Sequence, residues 1–310
     1  MRYALATAII VASLSSPAAA KTLEEIFPDA SKFSDEEKAF FKDFDFQQGI
    51  VKLPAAKASL NVPSNFYYLS PADTKKVLVD VWGNPATAAG DTLGMIFPTK
   101  YLPSEGASWG SVIGYDADGY VSDADAATID YDELLQQIKS GISENNVERE
   151  KQGFEPITLI GWASPPRYDQ PVHALHWARD LVFGKNMSAA HTLNYSIRIL
   201  GREGVLQFNF VASLDQLAEI REAIPSATKM ASFDKGAGYT DFQSGDAIAA
   251  YGMAGMIAAG AGAKVAAKFG LFAIILALLK KGGFFVVIAA IAGGYKALTG
   301  LFKRNKTPSA

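Results

Sequence analysis

Three histidines and one serine are the residues whose types and spacing come closest to a catalytic or metal-binding pattern. His173 and His176 lie three residues apart in a segment that alternates like a β-strand, so their side chains should point to opposite faces of a sheet. A helical zinc motif instead places two histidines four residues apart on one face. The spacing therefore favours hydrogen-bonded sheet histidines over a metal site that His191 would complete, and we expect no metal and no cofactor.

Ser164 is the candidate nucleophile of a Ser/His/Asp hydrolase, with Asp169 or Asp180 as its acid. It lies in Ala-Ser-Pro-Pro rather than in a Gly-x-Ser-x-Gly elbow, and Pro165 has no N–H to offer an oxyanion hole. The chain has no cysteine, which excludes a thiol nucleophile. We therefore expect a non-enzymatic protein and keep an envelope hydrolase of unrecognised type as the alternative.

Aromatic and arginine side chains gather around two consecutive prolines, which should form a stiff turn because proline fixes φ and lacks an N–H donor. Trp, Tyr and Arg are enriched in binding hot spots. The candidate interaction residues are Trp162, Pro165, Pro166, Arg167, Tyr168, Asp169, Trp177 and Arg179. The alternative is structural: the two tryptophans fill a core, and Arg167 pairs with Asp169 to hold the turn.

Period-two alternation predicts the antiparallel sheet that would hold these residues, in segments 172–184, 191–200 and 205–212. A hairpin turn is expected at 201–204, and helices at 71–82 and 123–153. One predicted face carries Leu175, Trp177, Leu181, Leu193, Tyr195, Ile197, Ile199, Leu206, Phe208 and Phe210. The other carries His176, Asp180, Asn194, Ser196, Arg198, Gln207 and Asn209. The predicted fold class is α+β, a mostly antiparallel sheet with helices packed on one face, plus one or more C-terminal membrane helices.

The first 20 residues are typical of a secretory signal peptide. A basic start is followed by a short apolar stretch and an Ala-x-Ala ending, so we expect cleavage after Ala20. Residues 21–232 are then expected to form an extracytoplasmic domain. Without cysteine this domain has no disulfides, and a hydrophobic core must stabilise it.

The charge of the chain is divided unevenly along its length. All 32 acidic residues and 20 of the 29 basic residues lie in residues 21–246, a net charge of −12, whereas the residues after Asp246 carry +8. An acidic domain lacks the basic footprint of a nucleic-acid-binding protein. A basic, apolar tail favours anionic lipid as a partner.

The C-terminal part of the chain is predicted to attach it to a membrane. We expect a Gly-rich linker at 233–246, an amphipathic or partly embedded helical segment at 247–281, a transmembrane helix at 282–298 and a basic tail at 299–310. A helical hairpin turning at Lys280 and Lys281 is the alternative to one span. Small residues favour self-association through a smooth helix face formed by Gly252, Gly255, Gly260 and Gly262.

Several segments resemble one bacterial family, domain of unknown function 2167, described as predicted membrane-anchored proteins. The segments are Gly161–Asp169, His173–Ala178, Leu193–Tyr195, Arg198–Arg202, Trp109-Gly110, Tyr115, Asp118–Val121, Tyr239–Phe242 and Ala250–Gly252. The resemblance covers most of the chain beyond the signal peptide. It implies a signal peptide, an extracytoplasmic domain and a C-terminal anchor, and it implies no reaction.

Together these patterns predict an envelope protein of the bacterial inner membrane with its main domain on the periplasmic side. Its domain is expected to bind a partner protein or another envelope component. Two alternatives stay open: the hydrolase, and a structural or stress-related membrane assembly that the small-residue tail would drive.

Overall fold

The computed structural model describes residues 19–84, 90–151 and 153–258. The predicted signal peptide up to residue 18, the span at 282–298 and the basic tail at 299–310 lie outside the described residues, as do Gly260 and Gly262. Among the described residues, no helix is both long enough and apolar enough to cross a membrane.

The described chain is α+β, with antiparallel strands and helices, which confirms the predicted class at this level. The strands are β1 Ala19–Lys21, β2 Phe46–Leu53, β3 Ala58–Val62, β4 Phe66–Leu69, β5 Gly94–Pro98, β6 Gly110–Asp116, β7 Ile157–Asp169, β8 Ala174–Phe183, β9 Thr192–Leu200, β10 Val205–Ser213 and β11 Ala231–Phe233. The helices are α1 Leu23–Ile26, α2 Asp35–Phe41, α3 Pro71–Lys76, α4 Tyr131–Lys151, α5 Leu217–Met230 and α6 Met253–Ala258. The described chain divides into two compact units, residues 19–114 with 223–235 and residues 115–222 with 236–258.

The first unit pairs its strands in the order β11-β3-β2-β4-β5-β6, and β1 also pairs with β2. Its core is rich in phenylalanine: Phe27, Phe33 and Phe46 are buried and meet mostly edge to face. Strands β2 and β3 form a hairpin, and Lys57 adopts the left-handed conformation (φ 47°) that closes the turn between them. The helix predicted at 71–82 is found as α3 followed by a π-helical turn at Val77–Val81.

The second unit is an antiparallel meander in the order β10-β9-β8-β7. The hairpin turn predicted at 201–204 is confirmed between β9 and β10, where Leu200 pairs with Val205. The long helix is found at Tyr131–Lys151, eight residues later than the predicted start, because Asp123–Thr128 instead forms turns.

The stiff turn predicted at Ser164–Asp169 is wrong. These residues continue β7, and the turn lies beyond them at Gln170–Val172, with His173 left-handed (φ 48°). The ladder between β7 and β8 shifts register between Ser164 and Arg167, which marks an irregularity at Pro165 and Pro166. Proline lacks a ladder donor and is tolerated at such bulges and on edge strands, and within the described residues β7 pairs only with β8.

The predicted sharing of faces is also wrong for β8. Trp177 stands opposite Ser196 and Leu175 opposite Arg198, so the apolar positions of β8 share a face with the polar positions of β9. His176 stands opposite Ile197 on the other face. The alternation along each strand was correct, but a relative shift of one residue exchanges the faces of a whole strand.

We call these two surfaces the Trp177 face and the His176 face. The Trp177 face is packed by α4 and α6, which contribute buried Leu134 and Ile138 from α4 and Met253 and Met256 from α6.

Residues 233–246, predicted as a linker, form specific contacts: the Arg202 guanidinium donates to both carboxylate oxygens of Asp246 at 2.8 Å.

Candidate functional site

A cluster of aromatic and hydrogen-bonding side chains forms where the turn after β7 meets two loops of the second unit. The Tyr168 hydroxyl donates to Oδ2 of Asp123 at 2.8 Å and lies 3.2 Å from Nδ1 of His173. The Tyr239 hydroxyl accepts from the backbone N–H of Asp123 at 3.1 Å. The rings of Tyr120 and Tyr239 stack with centroids 4.6 Å apart. We call Tyr120, Asp123, Tyr168, His173 and Tyr239 the tyrosine cluster.

Burial raises the pKa of Tyr168 and of Tyr239, and the neighbouring Asp123 carboxylate raises both further. Burial also raises the pKa of Tyr120. The phenols therefore keep their protons at neutral pH, and Tyr168 acts as a donor toward Asp123. Neutral phenols that donate to the Asp123 carboxylate (Tyr168) and accept from its backbone N–H (Tyr239) are suited to positioning loops rather than to supplying a phenolate base.

Backbone pairing fixes the two loops against each other. The N–H of Tyr120 donates to the carbonyl of Ala247 at 2.9 Å, and the N–H of Ala249 donates to the carbonyl of Tyr120 at 3.0 Å. A side chain at Gly119, where φ is +99°, would come within 2.7 Å of the Ala247 carbonyl, so the close approach requires glycine. The Tyr251 hydroxyl donates to Asp118 at 2.8 Å beside this bridge.

The Asp125 carboxylate connects the same region to α6. It accepts from the backbone N–H of Met253 at 3.2 Å and from that of Ala254 at 3.4 Å. These are the first N–H groups of the helix, which have no partner within it. Gly252 and Gly255, predicted for self-association, are buried here in the second unit.

The predicted interaction residues divide between the two faces. Tyr168 pairs across the ladder with Leu175, and Trp162 with Arg179, which places both pairs on the Trp177 face. The indole N–H of Trp162 donates to the carbonyl of Tyr131 at 3.2 Å, and Trp177 is fully buried. The arrangement brings Trp162, Trp177 and Arg179 together beneath the helices.

Arg167 belongs to the other face and is accessible. It pairs across the ladder with His176, its side chain is 65 % exposed, and Nη1 lies 3.7 Å from Oδ2 of Asp169. Pro165 is exposed and Pro166 is buried. The accessible part of the predicted set is therefore Pro165, Arg167 and, in part, Asp169.

The three histidines lie in three different settings. His173 is in the tyrosine cluster, and His176 is buried (4 % exposed) with neither ring nitrogen hydrogen-bonded within the described residues. Burial, with a smaller contribution from the Arg167 charge, lowers the pKa of His176 to about 4. No group of three or more His, Cys, Asp or Glu side chains in the described chain is arranged to hold a metal ion.

His191 is the histidine that combines a carboxylate partner with access to a cavity. Its Nδ1 lies 2.7 Å from Oδ1 of Asp180, an arrangement that orients the ring. It lines an open cavity of about 410 Å³ together with Ala190, Ser213, Leu214 and Asp215. Ser164, the serine predicted as a nucleophile, is paired with Ala178 in the ladder, and its hydroxyl forms no hydrogen bond to another described residue.

Sequence reasoning did not single out Asp123 or Tyr239 as candidate functional residues. Asp123 and Tyr239 are 116 positions apart, and the period of a strand or helix carries no information about such a contact. The available signal was the recurrence of tyrosines in separate family segments, which the fold brings together.

Comparison with solved structures gives a weak likeness. The solution structure of cyanobacterial PsbP (CyanoP) from Synechocystis sp. PCC 6803 is 10 % identical, with a TM-score of 0.33, and the match covers 59 % of this chain and 91 % of that one. These values are too low to assign a fold or a function. No curated protein matches the sequence.

Comparison with family models gives a clear answer. The model described as protein of unknown function (DUF2167) matches residues 45–292. The match takes in the tyrosine cluster, the β7–β10 meander and α6. It confirms the resemblance seen in the separate sequence segments, and the chain belongs to the DUF2167 family.

Proposed function

We propose that this protein is an exported binding protein of the bacterial inner membrane, held there by its C-terminus, whose domain binds a partner protein or another envelope component. The observation that carries the proposal is the division of the chain into an acidic folded part and an acid-free, apolar, basic-ended tail. Such a tail is retained in a bilayer through its apolar span at 282–298, and its lysines and arginines favour the anionic, cytoplasmic surface.

The accessible edge of β7 is the surface proposed for binding. Pro165 and Arg167 are exposed there, and Trp162 and Tyr168 on the same strand are held in place by hydrogen bonds to Tyr131 and Asp123. A rigid strand that presents a guanidinium loses little conformational freedom on binding, which favours affinity.

Membrane attachment is tested by alkaline carbonate extraction of cell membranes containing the full chain. The chain should stay in the pellet, and Ile288→Lys should release it, because a charge at the centre of a span disfavours insertion by about 3 kcal/mol. Thr307→Lys, outside the predicted span, is the matched control. Extraction of the unchanged protein into the supernatant would refute the anchor.

The binding surface is tested by crosslinking in the organism's own envelope. Arg167→Ala should abolish a specific crosslinked partner without changing the melting temperature, because the side chain is mostly exposed. Lys185→Ala removes another exposed basic side chain (83 % exposed) and should leave the partner in place. An unchanged set of partners in Arg167→Ala would dismiss this surface.

A hydrolase is the second candidate, and the cavity at His191 is the observation that favours it. Asp180 would orient His191 as a general base toward water or toward the Ser213 hydroxyl, which lines the same cavity. The purified full chain is assayed with p-nitrophenyl esters, and His191→Gln should lower the rate at least tenfold while Ser164→Ala leaves it unchanged. An equal rate in His191→Gln would reject this candidate.

A further inference from the structure

A group of hydrogen-bond donors lies on the Trp177 face without matching acceptors. The guanidinium carbon of Arg198 is 5.0 Å from the centroid of the Trp177 ring, and that of Arg179 is 6.0 Å from it. The register explains the grouping, because Arg179 follows Trp177 by two positions on β8, and Arg198 comes from β9 opposite Leu175. Two cationic side chains are thus placed around one indole.

The hydrogen bonds of the two guanidiniums go to backbone carbonyls. Arg179 donates to the carbonyl of Ile257, and Nη1 of Arg198 donates to the carbonyl of Ile197 at 3.0 Å. Within the described part of the chain, neither arginine forms a salt bridge. Burial lowers the pKa of each to about 10, so both are still charged at neutral pH. Two like charges placed together are unfavourable unless an anion accompanies them.

Two further donors at this place have no partner. Trp177 is 1 % exposed, and its indole N–H forms no hydrogen bond to the described residues. The Nε of Arg179 is likewise buried and unpartnered. Buried donors are nearly always hydrogen-bonded in folded proteins, so an acceptor from outside the described chain is expected here.

The nearest carboxylate is already engaged. Asp116 accepts a hydrogen bond from the side-chain amide of Gln207, and its charge interacts with that of Arg198. Burial raises the pKa of Asp116, and the Arg198 charge offsets part of that rise. As a single carboxylate, Asp116 can balance at most one of the two guanidinium charges.

We propose that Arg179, Arg198 and Trp177 form a binding site for an oxyanion of the phosphate class. A guanidinium presents a planar fork of donors that matches two phosphate oxygens, and two of them match a dianion. The indole N–H supplies a donor to a further oxygen. The phosphate group comes either from a soluble phosphate or from the headgroup of a phospholipid.

The site is tested by calorimetric titration of the full processed chain, in neutral detergent, with inorganic phosphate at constant ionic strength. Phosphate should bind and raise the melting temperature. Arg198→Gln and Arg179→Gln should each weaken the binding at least tenfold, and Trp177→Phe should weaken it several-fold. Arg167→Gln, which changes an arginine on the opposite face, should bind as tightly as the unchanged chain.

A second titration uses dihexanoyl phosphatidic acid as a monomer, to separate the two sources of phosphate. Tighter binding of this lipid than of inorganic phosphate, with the same loss in Arg198→Gln, assigns a headgroup. The reverse order assigns a soluble phosphate. Absence of any binding of either probe, or equal affinity in Arg198→Gln and the unchanged chain, overturns the proposal.

Should Arg198→Gln fail to fold, Arg198→Lys replaces it, because lysine keeps the charge and loses the fork. Arg198→Lys and Trp177→Phe must then both bind phosphate more weakly than the Arg167→Gln control. Affinities equal to that of the control in both variants overturn the site.

Discussion

His176 shows how strongly one buried side chain depends on its register position. It stands between Arg167 on β7 and Ile197 on β9, so a guanidinium and an apolar side chain are its cross-strand neighbours. Burial is the main reason that its pKa falls from 6.5 to about 4, and the Asp169 carboxylate offsets part of the shift. Between pH 6.5 and about 4, the imidazole is therefore mostly neutral in the folded protein and mostly charged in the unfolded chain.

Replacing His176 by Phe should remove part of the acid sensitivity of the fold. Because the pKa of His176 is lower in the folded protein, the unfolded state binds a proton more readily as the pH falls. The contribution of His176 to the free energy of unfolding is therefore complete above pH 6.5 and is lost as the pH falls to about 4. A shift of this size corresponds to about 3 kcal/mol over that window. Urea unfolding at pH 7 and pH 4.5 measures it, and parallel pH profiles for the two proteins would contradict the prediction.

The tyrosine cluster makes a second prediction at the scale of residues. Tyr168→Phe removes the hydroxyl that donates to Asp123 and should lower the free energy of unfolding by about 1.5 kcal/mol, a usual value for a hydrogen bond to a charged group. Tyr131→Phe is the control, because the Tyr131 hydroxyl forms no hydrogen bond to the described residues. Equal stabilities of the two variants in urea unfolding would show that the hydrogen bond contributes nothing.

At the scale of elements, β7 shows how two prolines can lie inside a strand. The register shift between Ser164 and Arg167 absorbs both, and the missing N–H groups discourage further strands from pairing with β7. Two consecutive prolines are therefore compatible with either a turn or an irregular edge strand. Local sequence could not decide between them, because the choice depends on the ladder with β8.

The turn between β9 and β10 allows the packing of these elements to be tested by a substitution at Gly204. A Cβ at Gly204 would overlap the carbonyl oxygen of Asp116 and lie 2.7 Å from Cζ and the hydroxyl oxygen of Tyr115. Gly204→Ala should therefore destabilise the protein by about 2 kcal/mol through overpacking. Gly161→Ala is the matched control, since nothing lies within 4 Å of its added carbon. Thermal unfolding compares the two, and a Gly204→Ala melting temperature equal to that of Gly161→Ala would count against the close packing.

At the scale of the whole molecule, the distribution of charge sets the expected orientation. The acidic residues all precede Ala247, and Lys303, Arg304 and Lys306 follow the proposed span. Positive residues stay on the cytoplasmic side of a membrane. With one span, the C-terminus is then cytoplasmic and the acidic part is outside.

The absence of native cysteine makes this orientation measurable. Ser309→Cys should react with a small, membrane-impermeant maleimide only after the cells are permeabilised. Ser188→Cys, in the exposed loop between β8 and β9, should react in intact cells and serves as the control. Labelling of Ser309→Cys in intact cells would instead favour the helical hairpin turning at Lys280 and Lys281.

The sequence by itself determined the local features of this protein. It determined the alternation along the strands, the hairpin at 201–204, the helix that begins at Pro71 and the family membership. All of these depend on neighbouring residues or on short segments, where propensity and period act. The tertiary structure decided which faces the strands share, that Pro165 and Pro166 continue β7, and that Arg179 and Arg198 meet at Trp177. Register and long-range packing are set by contacts between segments far apart in the chain, and a single sequence read locally does not contain them.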